Sequence, residues 1–156
     1  MTRATFVALS ALALGAATLS AQSRPATPAA PAAPAARPVT AAASGSVIRV
    51  RMTQTGARYS FEPATISVHV GDIVEFVNVS GGPHNIEFEK AKIPAGAEGV
   101  LNANMTGRLG NLQGPMMMQP NAVYRVSFAN APAGAYEFFC LPHKAMNMKG
   151  TITVRR

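Results

Sequence analysis

The chain has 156 residues, a formal net charge of +7, 48% hydrophobic residues and only 13% charged ones, which leaves room for one domain of ordinary size plus extensions. A single cysteine, Cys140, excludes structural zinc sites built from several thiolates. No stripe of Lys and Arg interleaved with aromatics runs through the sequence, so nucleic acid is not an expected partner, and the basic surface suits acidic proteins or an anionic membrane surface better.

Thr2 and Arg3 open a short charged region, residues 4–19 are apolar and small, and Thr18-Leu19-Ser20-Ala21 offers a cleavage site before Gln22. This is the pattern of a secretory signal peptide over residues 1–21. The apolar run falls short of the roughly 20 residues a membrane span needs, and no basic stop follows it. The mature chain is therefore expected in the periplasm or secreted, without a membrane span, and losing Arg3 takes the charge from +7 to +6. A lipid-anchored leader would need a cysteine at the cleavage point, and none is there. Residues 22–45 are rich in Pro and Ala, with Arg24 and Arg37 as the only charges. Proline at this density blocks helix and strand ladder alike, which predicts an extended, disordered linker rising about 3.1 Å per residue where it is polyproline-like.

From Ser46 the hydrophobic period changes to two. Val47, Arg49 and Arg51 alternate with Ile48, Val50 and Met52, a strand with one apolar face. Gly56-Ala57-Arg58 reads as a loop, and Phe61-Glu62-Pro63 leads into a second strand, Ile66-Ser67-Val68-His69-Val70. Strand parity puts His69 with Thr65 and Ser67 on the exposed face. Gly71-Asp72 marks a turn, and Ile73-Val74-Glu75-Phe76-Val77-Asn78-Val79 follows as the next strand. Ser80-Gly81-Gly82-Pro83 then places His84 at a junction between loop and strand, ahead of Asn85-Ile86-Glu87-Phe88.

Residues 90–121 show neither a clean period nor a long apolar run, and loops of that length are usually functional or mobile. Met116-Met117-Met118 lies here, readable as gap-filling loop methionines, as an adaptable apolar contact surface, or as an accessory Cu(I) site. Alternation resumes in Val123-Tyr124-Arg125-Val126-Ser127-Phe128, continues through Tyr136, Phe138 and Cys140, and ends in Thr151-Ile152-Thr153-Val154. Short strands with turn signals at this frequency predict an all-β antiparallel sandwich over residues 46–156.

The chemistry concentrates in Cys140-Leu141-Pro142-His143-Lys144-Ala145-Met146-Asn147-Met148. An exported chain with one cysteine must leave it free, pair it with another molecule, or use it on a metal. Here a thiolate, an imidazole and thioethers share one short loop, and thiolate plus two imidazoles plus a weak axial methionine is the donor set of blue-copper sites. His84 is the second imidazole candidate. The bland alternative is that Cys140 is a free thiol in the core of a copper-free adhesive sandwich.

Residues 46–156 resemble the cupredoxins, and among them the plastocyanin and pseudoazurin group. The resemblance rests on Pro83-His84-Asn85, on Ala131-Pro132-Ala133-Gly134-Ala135-Tyr136-Glu137-Phe138-Phe139-Cys140, and on the loop closing into Gly150-Thr151-Ile152-Thr153-Val154. It implies a Greek-key sandwich of about eight strands holding one copper ion on His84, Cys140, His143 and Met148. Met146, at a shorter spacing used by amicyanin-like relatives, is the second choice for the axial place. The resemblance also assigns Asn85 the bracing of the cysteine loop, and places His143 near the surface in an apolar rim of Leu141, Pro142 and Ala145. The implied function is one-electron transfer between redox partners by a carrier, monomeric as the family mostly is, that is not an enzyme. Catalytic copper proteins need further histidine-bound coppers, whereas only His69 remains. Photosynthetic plastocyanins carry an acidic patch and usually a tyrosine before the cysteine, but this chain is basic and has Phe139 there. The expected partner is therefore a respiratory cytochrome, oxidase or reductase with an acidic docking face. The alternative is a periplasmic copper(I) chaperone or storage protein using the Met-rich loop.

Overall fold

A computed structural model describes residues 45–156. The expected leader and all but the last residue of the expected linker lie outside the described residues. Among the described residues, eight strands form two four-stranded sheets. The first sheet holds β1 (Val47–Thr55), β2 (Arg58–Glu62), β4 (Ile73–Asn78) and β6 (Val123–Ser127), in the order β2-β1-β4-β6. The second holds β3 (Thr65–His69), β5 (Glu87–Phe88), β7 (Gly134–Phe139) and β8 (Lys149–Arg155), in the order β3-β8-β7-β5.

The alternation along β1 behaves as its pattern demands, with Val50 and Met52 fully buried and Arg49 and Arg51 exposed. His69 is exposed as well. The pairing is not uniformly antiparallel as expected: β1 runs parallel to β4, and β3 parallel to β8. The chain crosses between sheets from β2 to β3 and back again to β4, so β4 returns beside β1 pointing the same way. Alternation fixes which face of a strand is buried, not which strand lies beside it.

Two elements depart from the sequence reading. The residues read as a loop at Gly56-Ala57-Arg58 are the tight turn and first residue of a hairpin in which β2 pairs antiparallel with β1. Gly56 takes the left-handed φ of +60° that the turn needs. Within residues 90–121, a short helix α1 (Ala97–Asn104) buries Ala97 and Leu101. Asparagine side chains then anchor the helix: Asn102 Oδ1 accepts from the Leu112 amide of the following loop at 2.8 Å, and Asn104 Nδ2 donates to the Ala129 carbonyl beyond β6 at 2.9 Å.

Aromatic rings fill the space between the sheets. Phe138 meets Phe61 edge to face at 4.8 Å and Phe76 at 5.4 Å, and Phe128 meets Tyr136 at 5.5 Å. Each such pair adds about 0.5–1.5 kcal/mol beyond the area it buries. The Tyr136 hydroxyl donates to the Pro132 carbonyl at 2.6 Å, and burial pushes its pKa up to about 12. On the outer face of the first sheet, Glu75 lies in register between Arg49 and Arg125. Its carboxylate is covered by their guanidiniums at 2.7 and 2.6 Å. Hydrogen bonds from Arg125 and then Arg49 hold it below the usual carboxylate range. With the core and outer face locked in this way, the ends of β4 and β7 deliver two loops to one end of the sandwich.

Candidate metal centre

His84 comes from the loop that leaves β4. Gly81, with φ of +76°, turns the chain, and Gly82 passes so close to Asn78 that a Cβ there would lie 2.7 Å from Asn78 Nδ2. The same Nδ2 donates to the Met117 carbonyl at 2.9 Å. Met117 in turn exchanges two backbone hydrogen bonds with His84, at 3.2 and 2.8 Å. His84 is thereby fixed in an extended bridge and fully buried. Its Nε2 lies 2.9 Å from the Ser80 carbonyl, which can only accept, so Nε2 carries the proton and Nδ1 presents a bare lone pair. Burial lowers the His84 pKa despite that hydrogen bond, which keeps the ring neutral and able to ligate.

Cys140 follows β7 directly and is fully buried. The loop after it is a 3-10 turn over Leu141–Met146, broken at His143, where φ is −116° and ψ is 17°. Asn147 adopts a left-handed φ of 60°, which asparagine tolerates better than most residues, and this reverses the chain. The reversal brings Met148 back: its amide donates to the His143 carbonyl at 3.2 Å, and its carbonyl accepts from the Cys140 amide at 3.1 Å. Met148 is fully buried, whereas Met146, before the reversal, is 46% exposed.

Cys140 Sγ lies 3.5 Å from His84 Nδ1 and 3.4 Å from His143 Nδ1. The donor atoms of these three residues all fall within 4.8 Å of one another, and they form the one such cluster among the described residues. Donors bound to one ion at about 2.0 Å for nitrogen and 2.3 Å for sulfur, with trigonal to tetrahedral angles, stand roughly 3.4–3.7 Å apart. The two sulfur-to-nitrogen separations fit that geometry. Burial pushes the Cys140 thiol up, against hydrogen bonds from the Asn85 and His143 amides that favour the thiolate. Burial, and then His84, lowers the His143 pKa. A buried thiol between two imidazole Nδ1 atoms is what a soft cation stabilises, since it favours the thiolate outright.

Asn85 is buried, and its Oδ1 accepts from the Leu141 amide at 2.8 Å, tying the His84 segment to the cysteine loop. His143 differs from expectation in being only 6% exposed. The ring of Tyr59 on β2 lies flat against it, with centroids 3.8 Å apart and planes 14° from parallel. Sequence reasoning missed Tyr59, which falls between the loop read at Gly56-Ala57-Arg58 and the lead-in Phe61-Glu62-Pro63; the alternation Arg58-Tyr59-Ser60-Phe61-Glu62 is the available signal. Lys144 was also missed. Its ammonium sits 3.7 Å above the Phe139 ring and 3.1 Å from Glu89. The Met-rich loop divides: Met117 is a core residue, while Met116 and Met118 on either side of it are 36% and 62% exposed.

Comparison with known proteins agrees with this arrangement. A family profile described as copper binding proteins, plastocyanin/azurin family, matches residues 48–155. A plastocyanin of Nostoc punctiforme is 34% identical over 117 residues, covering 74% of this chain and 79% of that protein. A plastocyanin of Scenedesmus fuscus is 34% identical over 108 residues, covering 69% of this chain and 99% of that protein. The solved structure of oxidised plastocyanin from Dryopteris crassirhizoma superposes with a TM-score of 0.53 at 32% identity, over 69% of this chain and all of the other. With its two-sheet sandwich and buried His-Cys-His cluster, the chain belongs to the copper-binding plastocyanin/azurin family, the cupredoxins.

Proposed function

We propose that the protein is an exported blue-copper electron carrier that holds one copper ion on His84, Cys140, His143 and Met148. The observation that carries this reading is the convergence of Cys140 Sγ with two imidazole Nδ1 atoms at 3.4 and 3.5 Å in a buried setting. Copper supplies a one-electron couple, Cu(I)/Cu(II), and the protein's part is to change as little as possible between the two states.

The chain's own residues serve that end. Ser80 fixes the tautomer of His84, the Asn85 side chain braces the loop, and the Asn85 and His143 amides point at the sulfur. Such hydrogen bonds set the donor strength of the ligands around the metal. Met148, buried and bonded through its backbone to both Cys140 and His143, would be a better fourth ligand than the exposed Met146. With no further cluster of histidines among the described residues for a catalytic copper, transfer of the electron to a redox protein is the whole activity proposed. A net positive chain fits a respiratory cytochrome, oxidase or reductase with an acidic docking face. No helix among the described residues is long and apolar enough to cross a membrane.

The test is an absorption spectrum of the full chain after one equivalent of Cu(II), repeated with Cys140→Ser. An intense visible thiolate-to-copper band that vanishes in the variant supports the reading, and a colourless wild-type protein overturns it. The docking part is tested separately: association with a candidate partner must weaken as salt rises. The chaperone reading draws on the exposed Met116 and Met118 beside the His84 bridge. It requires copper beyond one equivalent, lost on replacing those two methionines.

A further inference from the structure

We propose that Tyr59 is a positioning residue of the copper site: its ring face clamps the His143 imidazole so that Nδ1 stays aimed at Cys140 Sγ whether or not metal is bound. The inference rests on the copper reading above and adds to it a residue outside the ligand loops.

The reasoning starts from what limits a histidine side chain. The main chain at His143 is already fixed, since its amide donates to the Cys140 carbonyl at 3.1 Å and its carbonyl accepts from the Met148 amide at 3.2 Å. Side-chain rotation is what remains. One side of the ring faces the donor set, with Sγ at 3.4 Å and the His84 ring at 4.8 Å and 63°. Without a second wall the imidazole could swing its Nδ1 away from the sulfur. Tyr59 is that wall. At a centroid distance of 3.8 Å the two faces are in van der Waals contact, and rotation of the imidazole would drive its edge into the phenol ring.

Tyr59 is itself held firmly. It is the second residue of β2, paired with Gln54 of β1, in the sheet opposite the strand that leads to Cys140. The clamp therefore joins the two sheets across the site, and any opening of the sandwich at that end would release it. The contact uses the ring face, so the hydroxyl is dispensable and phenylalanine can replace tyrosine. A ligand held in place before the electron arrives needs less rearrangement when the charge on the metal changes, which is the condition for fast transfer.

The experiment compares the wild-type full chain with Tyr59→Phe and Tyr59→Leu. Leucine keeps an apolar filler but removes the π face. Copper affinity is measured by competition with a chelator, the Cu(II) site by electron paramagnetic resonance, and the metal-free His143 ring by NMR. In Tyr59→Leu, affinity is expected to fall roughly two- to tenfold, the size of one aromatic pair. The resonance spectrum of the site should change, and the His143 ring protons should lose the upfield shift that a stacked ring imposes. Tyr59→Phe should match wild type in all three.

Wild-type affinity and an unchanged copper spectrum in Tyr59→Leu, with the upfield shift gone, overturn the proposal while leaving the copper reading intact. A wild-type protein without the Cys140-dependent band takes both down. If Tyr59→Leu fails to fold, relaxation of the His143 ring in metal-free wild type decides: a ring as ordered as that of His84 supports the clamp, and a freely reorienting one refutes it.

Discussion

Replacing Asn85 with alanine tests the brace between the two ligand-bearing segments. Asn85 is fully buried, and its Oδ1 takes the Leu141 amide at 2.8 Å, while its Nδ2 has no hydrogen-bond partner among the described residues. Alanine would leave the Leu141 N–H without its acceptor, at a cost of about 1–3 kcal/mol. Part of that is offset, because the unpartnered Nδ2 no longer has to be kept from water. A net loss of about 1–2 kcal/mol is expected, or roughly 5- to 30-fold in the folding equilibrium. For a domain of this size that corresponds to a fall of roughly 4–8 °C in Tm. The assay is urea and thermal unfolding of the metal-free protein, with hydrogen exchange at the Leu141 amide read in parallel. The damage is greatest at the brace, so Leu141 should lose more protection than the amides of β1 and β4, which fall only with the global stability. Unchanged stability together with a still-protected Leu141 amide would refute the assignment of Asn85 as the brace.

Three further outcomes are expected. Glu75 has a folded pKa below its ordinary value of 4.5, so its contribution is present above that value and disappears as pH falls through the lower folded pKa. Glu75→Gln should therefore lower Tm at neutral pH, and the difference from wild type should close in acid; a constant difference would argue against the ion triad. His84 and His143 have folded pKa values below 6.5 in the metal-free protein, so below pH 6.5 the unfolded chain binds protons that the folded one does not. Stability of the metal-free protein should fall as pH drops below 6.5, with a shallower slope in a variant carrying His84→Asn, and an unchanged slope would remove the explanation. Gly82→Ala places a Cβ 2.7 Å from Asn78 Nδ2 and must displace the bond that Asn78 makes to Met117. A loss of about 1–3 kcal/mol in urea unfolding is expected, and a neutral substitution would show that the loop yields.

Strand alternation and residue type alone set the faces and the chemistry. Alternation in β1 and β3 put Val50, Met52 and Val68 on an apolar face and left His69 outside, because side chains with period two have only two places to go. Residue types chose the donors, since a lone thiolate with histidine and methionine close by in one loop has few other uses. The tertiary structure decided what depends on neighbours distant in the chain. The parallel pairing of β1 with β4 and of β3 with β8 follows from crossings between sheets, which leave no mark in local hydrophobicity. The position of Met148 inside and Met146 outside turns on the left-handed residue Asn147, a backbone state that composition permits but does not require. Tyr59 meets His143 only because a hairpin in one sheet faces the end of a strand in the other. A contact between residues 84 positions apart is set by packing, and packing is a property of the folded whole.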